Sequence, residues 1–417
     1  MLDVNFIREN PEKVKAGVEK KNADPKLVDK FLKIDDDWRS KTAALDQLQA
    51  EQNKVSAEMG KKKSAHGMSQ AQLLKKRISE VQKEKNDLEV KRDEILGNLP
   101  NIPFEDVPVG KDESANKVLR EVGEKPQFKF QPKSYLEIAE NLGLINVKKA
   151  AEVTGTRFGY VLGDAVLLEF ALVKLALDEL MPHGFIPVLP PVMERPEVMR
   201  KMGKGKFIDE SDAFYVKDDD LYLIGSSEHT LGPFHMNHVF KEKELPRRYV
   251  GFSTCFRRES GSYGRDTKGI LRVHQFDKLE MYSFVHPDKS EEEHKFLLFL
   301  EEKLAQKLEL PYRVVELSTG DMTWGDARQY DIEVWFPSEN KYRETHSASN
   351  TTDFQARGIN AKYETKDGKK EFVHTLNATV FSQRPILAII ENYQTEKGTV
   401  KVPKVLQDYL GKKEIGK

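Results

Sequence analysis

Cys255-Phe256-Arg257-Arg258-Glu259 leads into a polar, glycine-rich run, Ser260-Gly261-Ser262-Tyr263-Gly264-Arg265-Asp266-Thr267-Lys268-Gly269, and the chain emerges as Arg272-Val273-His274-Gln275-Phe276-Asp277-Lys278-Leu279-Glu280. Two strands around a long loop would bring Arg257, Glu259, Arg272, Phe276 and Glu280 to neighbouring positions. There Arg257 and Arg272 offer guanidinium forks for phosphate or carboxylate, Glu259 an acceptor for an exocyclic amine, and Phe276 a stacking face. A surface hairpin with unrelated charges accounts for any one of these residues but not for the set. No G-x-x-x-x-G-K-[ST] or G-x-G-x-x-G stands between a strand and a helix, so a nucleotide site here is of another kind.

Around this stretch the chain alternates short β-branched and aromatic runs: Leu221–Ile224, Arg248–Phe252, Leu279–Phe284, Tyr312–Val315, Asp331–Trp335 and Phe372–Thr379. Helical patterns precede them at Tyr135–Leu144 and Leu167–Pro182, and a helix from about Arg384 to Tyr393 follows. Strands adjacent in sequence without a helix between each pair predict an antiparallel sheet flanked by helices, hence an α+β fold. The stretch from Pro100 to Pro132, rich in Pro, Gly and charge, reads as a linker. This gives a domain plan of an N-terminal arm over 1–105, a linker over 106–133 and a second domain over 134–417.

The arm is read from two apolar series. Leu27, Phe31, Ile34, Trp38, Leu45, Leu48, Val55 and Met59 fall mostly three or four apart, as do Leu74, Ile78, Val81, Leu88, Ile95 and Leu99, which Pro100 ends. A short connection around His66-Gly67-Met68-Ser69 predicts an antiparallel coiled-coil hairpin, long enough to project into solvent. From Lys54 to Arg92 it carries eleven Lys/Arg against five Asp/Glu and no aromatic residue. Ordinary solvated lysine faces are one reading of that charge. The other is a clamp for a nucleic-acid backbone, which displaces condensed counterions and needs no base stacking.

Bulk composition bounds the remaining classes. With 417 residues the chain can build a large core, and a formal net charge of −1 means any nucleic-acid surface is local. The single cysteine, Cys255, excludes an intramolecular disulfide framework or a Cys-rich zinc site and fits a reducing compartment. No export signal or membrane span is read, and the expectation is a cytoplasmic protein.

The stretch around Phe256-Arg257-Arg258-Glu259, with Gly264-Arg265-Asp266-Thr267-Lys268-Gly269 and Arg272-Val273-His274-Gln275-Phe276, resembles motif 2 of the class II aminoacyl-tRNA synthetases in the version found in seryl-tRNA synthetases. Gly184-Phe185-Ile186-Pro187-Val188-Leu189-Pro190-Pro191 resembles motif 1, which in the family forms the dimer interface. Tyr342-Arg343-Glu344, Ser349-Asn350 with Asp353-Phe354-Gln355-Ala356-Arg357, and His374-Thr375-Leu376-Asn377 leading to Arg384 and Glu391-Asn392-Tyr393 resemble the late active-site segment and motif 3. Met1-Leu2-Asp3, Arg8-Glu9-Asn10-Pro11 and the hairpin match the family's N-terminal arm, so the likeness runs from Met1 to about Leu410.

The resemblance implies an ATP-dependent serine–tRNA ligase, a homodimer with tRNA(Ser) as partner and the selenocysteine tRNA as a further one. Arg257, Glu259 and Arg384 are the implied catalytic set. ATP is implied to meet Arg257, Arg258, Glu259, Arg272, Val273, Phe276, Glu344, Thr345, His346, Ser347 and Arg384, with Mg²⁺ on Glu344 and Ser347. Serine is implied to meet Ser226, Ser227, Glu228, Arg257, Glu280, Asn377 and Thr379. A carboxylate pair suits an ammonium and a hydroxyl. The sequence departs from the family at several points. Ser226-Ser227-Glu228 stands for Thr-Ala-Glu, His229-Thr230 replaces an apolar residue and proline, and His346, read as packing or facing solvent, holds a position usually small. The spacing from Thr379 to Arg384 is one residue short, enough to flip side chains in a strand unless a turn absorbs it. A synthetase-like paralogue that binds tRNA without charging it is the alternative. A carrier-protein aminoacylase is a third reading, which the basic hairpin opposes.

Overall fold

The computed structural model describes residues 1–61, 64–260 and 268–416. Most of the polar run between the two motif 2 strands, Gly261 to Thr267, lies outside the described residues, as do Lys62 and Lys63 of the basic count. The chain divides into a helical unit, Leu2–Glu19 with Ala23–Pro100, and a second unit that takes in Asn101–Lys417.

In the helical unit α1 (Val4–Glu9) and α2 (Pro11–Lys20) precede two long helices, α3 (Lys26–Lys61) and α4 (Ala65–Gly97). Asp3 caps α1, accepting from the Asn5 amide at 2.7 Å. The expected turn is displaced. His66 to Ser69 are already helical, because Ser64 caps α4 by accepting the Gly67 amide at 3.0 Å. Val28, Phe31, Leu45, Val55, Leu74 and Leu96 are buried along the seam. One buried carboxylate organises the proximal part. Asp35, 1% exposed, accepts from Arg8 of α1 at 2.7 and 2.8 Å and from Arg92 of α4 at 2.8 Å, with Arg39 at 3.3 Å. The Arg92 guanidinium also lies 4.8 Å from the Trp38 ring centre. Lys75, Lys76 and Arg77, farther along α4, are exposed.

The second unit is built on one eight-stranded sheet. Its strands are β1 (Lys117–Val122), β2 (Phe185–Val188), β3 (Arg247–Phe256), β4 (Gln275–Val285), β5 (Tyr312–Glu316), β6 (Arg328–Phe336), β7 (Lys341–Asn350) and β8 (His374–Ser382), in the order β1-β5-β6-β7-β8-β4-β3-β2. Every pair is antiparallel except β2–β3, so the fully antiparallel expectation is corrected at one edge, where motif 1 supplies a parallel strand. The supposed linker is corrected too, since β1 lies within it and pairs with β5. Polar residues on β1 hid the strand, as is usual at a solvated edge. Helices α5 (Tyr135–Asn141), α6 (Asp164–Leu180), α7 (Ser290–Lys307) and α8 (Gln383–Asn392) contribute to the main core. Alternation puts Leu279, Met281, Ile332, Val334, Ala348 and Ala378 in that core, leaving the other sheet face free for polar side chains.

Among the described residues no helix is long and apolar enough to cross a membrane. The Asp35 cluster predicts an acid sensitivity of the helical unit. Burial opposes the Asp35 charge, but Arg8 and Arg92 outweigh it and hold the group below its ordinary value of 3.8. A depressed folded-state pKa stabilises above the ordinary value, and the contribution is lost as pH falls through the folded one. Asp35→Ala is expected to destabilise this unit by about 3 kcal/mol at pH 7 and by less at pH 2, read from denaturant unfolding followed by Trp38 fluorescence. An equal loss at both pH values would refute the ion-pair account.

Candidate active site

On the free face of the sheet, a cavity of about 660 Å³ gathers side chains from four strands and the segments between them. Phe276, Lys278 and Glu280 enter from β4, Gln329, Asp331 and Glu333 from β6, Ser347 and Ser349 from β7, and Asn377 and Thr379 from β8, each set at intervals of two. Two bulges adjust this pattern. In the pairing of β6 with β7, Ile332 faces His346 but Glu333 faces Glu344, leaving Thr345 extra. In that of β4 with β8, Leu279 faces Phe381 and Glu280 faces Thr379, leaving Val380 extra. The first bulge turns Glu344 and Thr345 into the cavity, and the second brings Ser382 back to the cavity face and Arg384 in after it.

The cavity's carboxylates are ion-paired or hydrogen-bonded. Glu259 meets Arg272 at 2.6 Å, and Glu344 meets Arg384 at 3.0 Å, whose guanidinium also donates to the Glu344 carbonyl. Burial works against the Glu344 charge, but Arg384, Arg257 and Arg272 keep it below the ordinary carboxylate value. Arg257 donates from Nε to the Gly225 carbonyl at 3.1 Å and stands 5.5 Å from the Phe276 ring centre. At the inner end Lys278 touches Glu280 at 2.8 Å, and Thr379 bonds the same carboxylate. Burial pushes the Glu280 pKa up.

Glu228 is the most heavily supported of these groups. Its Oε1 meets Lys204 Nζ at 2.8 Å, Gln355 Nε2 at 2.6 Å and Asn377 Nδ2 at 3.2 Å. Gln355 is itself fixed, its Oε1 accepting from Tyr282 at 2.8 Å and Thr375 at 3.1 Å. Burial raises the Glu228 pKa, yet Lys204, His229 and Gln355 bring it down to about 2, so this carboxylate stays ionised. His229 lines the cavity, and burial lowers it to about 3, a neutral imidazole.

Ser226, Glu228, Arg257, Glu259, Arg272, Val273, Phe276, Glu280, Glu344, Thr345, Ser347, Asn377, Thr379 and Arg384 all line the cavity. Three expected contacts do not. Ser227 turns back on the sheet, its hydroxyl donating to the Gly251 carbonyl at 3.2 Å. Arg258 donates to the Ala213 carbonyl at 3.1 Å and lies over Phe214, because alternation sends it opposite to Arg257. His346 lies beyond the Thr345 bulge, 4% exposed, and bonds Thr345 at 2.8 Å through its Nδ1, which makes it packing. Sequence reasoning missed Lys204, Trp324, Asp326, Gln329, Asp331 and Glu333. The polar–apolar alternation Gln329-Tyr330-Asp331-Ile332-Glu333-Val334 was a legible signal for three of them.

Residues 214–393 match the family described as the tRNA synthetase class II core domain (G, H, P, S and T), which sets the class: a class II aminoacyl-tRNA synthetase. Residues 1–103 match the Seryl-tRNA synthetase N-terminal domain. Over its whole length the chain is 42% identical to the serine–tRNA ligase of Pyrococcus horikoshii, covering 97% of it. It is 40% identical to that of Thermobifida fusca, with 99% of this chain and 98% of the relative covered. The chain belongs to the seryl-tRNA synthetase family. Among solved structures, the Pyrococcus horikoshii seryl-tRNA synthetase complexed with ATP superposes with a TM-score of 0.91 at 42% identity, covering 100% of this chain and 99% of that one. The cytoplasmic serine–tRNA ligase of Naegleria fowleri in complex with AMP gives 0.86 at 35% identity, covering 100% and 98%.

Gln355 is 1% exposed and serves three buried partners at once. Gln355→Leu leaves those groups short of a bond and is expected to lower unfolding stability by about 2 to 3 kcal/mol at an unchanged denaturant slope. A loss below about 0.5 kcal/mol would mean that water or a neighbour replaces it.

Proposed function

We propose that this chain is a serine–tRNA ligase, joining serine and ATP as seryl-adenylate with release of pyrophosphate and then passing the seryl group to the 3′ end of tRNA(Ser). The observation that carries this reading is the pairing, at one end of a nucleotide-sized cavity, of an ionised Glu228 with a Glu280 whose pKa burial raises and which bonds the Thr379 hydroxyl. The first suits the substrate ammonium and the second its hydroxyl. In-line attack of the serine carboxylate on the α-phosphate needs positioning and charge neutralisation more than a protein acid or base. Arg257, held by the Gly225 carbonyl, is the guanidinium assigned to bridge both anions. Phe276 is the face for adenine, Glu259 its amine acceptor, and Arg272 and Arg384 take the outer phosphates. ATP in the first matched structure supports the nucleotide assignment.

Mg²⁺ fits the donors present. Asp331 stands directly opposite Ser347 in the strand pairing, and burial with the nearby Glu344 charge raises its pKa well above the ordinary value. Hard oxygen donors with crowded negative charge suit a small divalent cation that shares its shell with phosphates. Glu344 and Ser347 would hold the ion, which supplies charge neutralisation for ATP when bound.

We assign tRNA binding to the helical unit, whose exposed Lys75, Lys76 and Arg77 belong to the basic half. A homodimer through motif 1 is supported by exposed apolar side chains around β2, Leu189 at 82%, Met181 at 52% and Ile186 at 41%. The single, buried cysteine agrees with a cytoplasmic location. The relatives lend no support to the alternative of an impaired paralogue.

Serine-dependent exchange of pyrophosphate into ATP by the purified chain tests the reading; no exchange above an alanine control would sink it. With a carboxylate waiting for a hydroxyl, alanine is expected to be rejected by about 10⁴ in kcat/KM, and Glu280→Gln to narrow that ratio while weakening serine activation. Deleting residues 55–90 behind a short Gly-Ser connection should leave exchange near normal and cut tRNA charging sharply. Affinity of the intact chain for tRNA should also fall steeply with salt. Full charging by the shortened chain would remove the arm from tRNA recognition.

A further inference from the structure

Lys204 sits in Gly203-Lys204-Gly205, between the short helices Pro196–Lys201 and Gly205–Asp209. Gly203 has a left-handed φ of +76°, and a Cβ there would lie 2.6 Å from the Phe354 ring, so the backbone before Lys204 is fixed by a glycine that nothing larger replaces. The side chain is 21% exposed and lines the cavity, and its ammonium lies 2.8 Å from Glu228 Oε1. That contact is one the substrate needs. Gln355 and Asn377 supply amide donors to the same oxygen, and Lys204 supplies the one full positive charge that meets Glu228 at ion-pair distance among the described residues.

We propose that Lys204 is a tethered stand-in for the substrate ammonium: it neutralises Glu228 while the amino-acid site is empty, and serine binds by taking its place, which makes Lys204 a positioning residue that sets serine affinity and selectivity for amines. This rests on the assignment of Glu228 to the serine ammonium above. The physical need for a stand-in is direct. A carboxylate 5% exposed beside Glu194, itself 5% exposed and with neither oxygen bonded, would be costly to leave unpaired. Glu194 meets the same problem by another route, since burial and the Glu228 charge push it up to about 9 and it stays protonated. Glu228 keeps its charge with Lys204 as its strongest partner, helped by the Gln355 and Asn377 amides. A lysine suits the task better than an arginine, being a point charge on a flexible stem with no planar fork to hold it. It also has somewhere to go. Asp326 lines the same cavity, accepts from Ser349 at 2.7 Å, and its charge acts on Lys204 together with that of Glu228. Burial opposes the Lys204 charge, but these two carboxylates outweigh it and hold its pKa above the ordinary value.

Exchange kinetics on the full chain test the proposal, with serine as substrate and 3-hydroxypropanoate, which is serine without its amino group, as competitive inhibitor. Lys204→Met removes the internal competitor, so KM for serine is expected to fall about tenfold, the scale of one hydrogen bond to a charged group. In the same variant inhibition by 3-hydroxypropanoate should weaken, because that ligand leaves Glu228 without a counter-charge, whereas the native lysine stays in place when it binds. Lys204→Arg, which keeps a cation on Glu228, should show no fall in KM. Should Lys204→Met not fold, Lys204→Gln still offers Glu228 a neutral donor and is expected to show the same two opposed shifts. A residue needed only for folding would weaken both ligands together. Unchanged or raised KM for serine in a folded neutral variant overturns the proposal while leaving the ligase reading intact. Absence of serine-dependent exchange in the native chain would overturn the ligase reading, and this inference with it.

Discussion

Two residues that the strand register skips, Thr345 and Val380, decide which chemistry the cavity contains. A strand sends alternate side chains to opposite faces, so an uninterrupted β7 would put Glu344 on the same face as His346, and an uninterrupted β8 would put Ser382 with Phe381's neighbours in the core. Each bulge shifts the phase by one. Glu344 and Arg384, the pair at 3.0 Å, reach one another only because both shifts occur. The apolar face loses nothing by this, since Ile332, Ala348 and Ala378 stay in the core and the second bulge carries Phe381 there as well.

The second organising fact is that the cavity is already neutralised from within. Arg272 on Glu259, Arg384 on Glu344, Lys278 on Glu280 and Lys204 on Glu228 are four cation–carboxylate contacts at 2.6 to 3.0 Å inside one enclosed space. Charges fixed in this way need little reorganisation when a charged ligand arrives, which is the condition under which protein dipoles stabilise a developing charge. The same arrangement makes binding an exchange of partners. A phosphate or an ammonium gains only the difference between its own contact and the internal one it replaces, and selectivity follows from that difference.

Legibility in the sequence followed the range of the interaction involved. The long helices and most of the central strands were readable, and fourteen of the residues named for the site line one cavity, because periodicity and short motifs are local. Ser227, Arg258 and His346 were misplaced for a different reason: a motif gives proximity along the chain, whereas the face a side chain takes depends on pairing with a distant strand. The edge strand β1 was hidden by its polar residues and by the prolines and glycines around it, and the parallel pairing of β2 joins segments some sixty residues apart. Lys204 had no local signal at all. Its role comes from contact with Glu228 and from the nearby charge of Asp326, both remote in sequence.

Glu301 completes the electrostatic argument from beneath the sheet. It lies on α7, has no exposure, and neither carboxylate oxygen has a hydrogen-bond partner. Burial, reinforced by Glu280 and Asp331, raises its pKa well above the ordinary value, so it stays neutral where Glu280 keeps a lysine at 2.8 Å. An ionised Glu301 would compete for the charge of Lys278, whose field reaches it. Held protonated, it leaves that lysine to Glu280 on the cavity side. The helical layer therefore does more than cover the sheet: by denying solvent to one carboxylate it keeps a further negative charge away from Lys278.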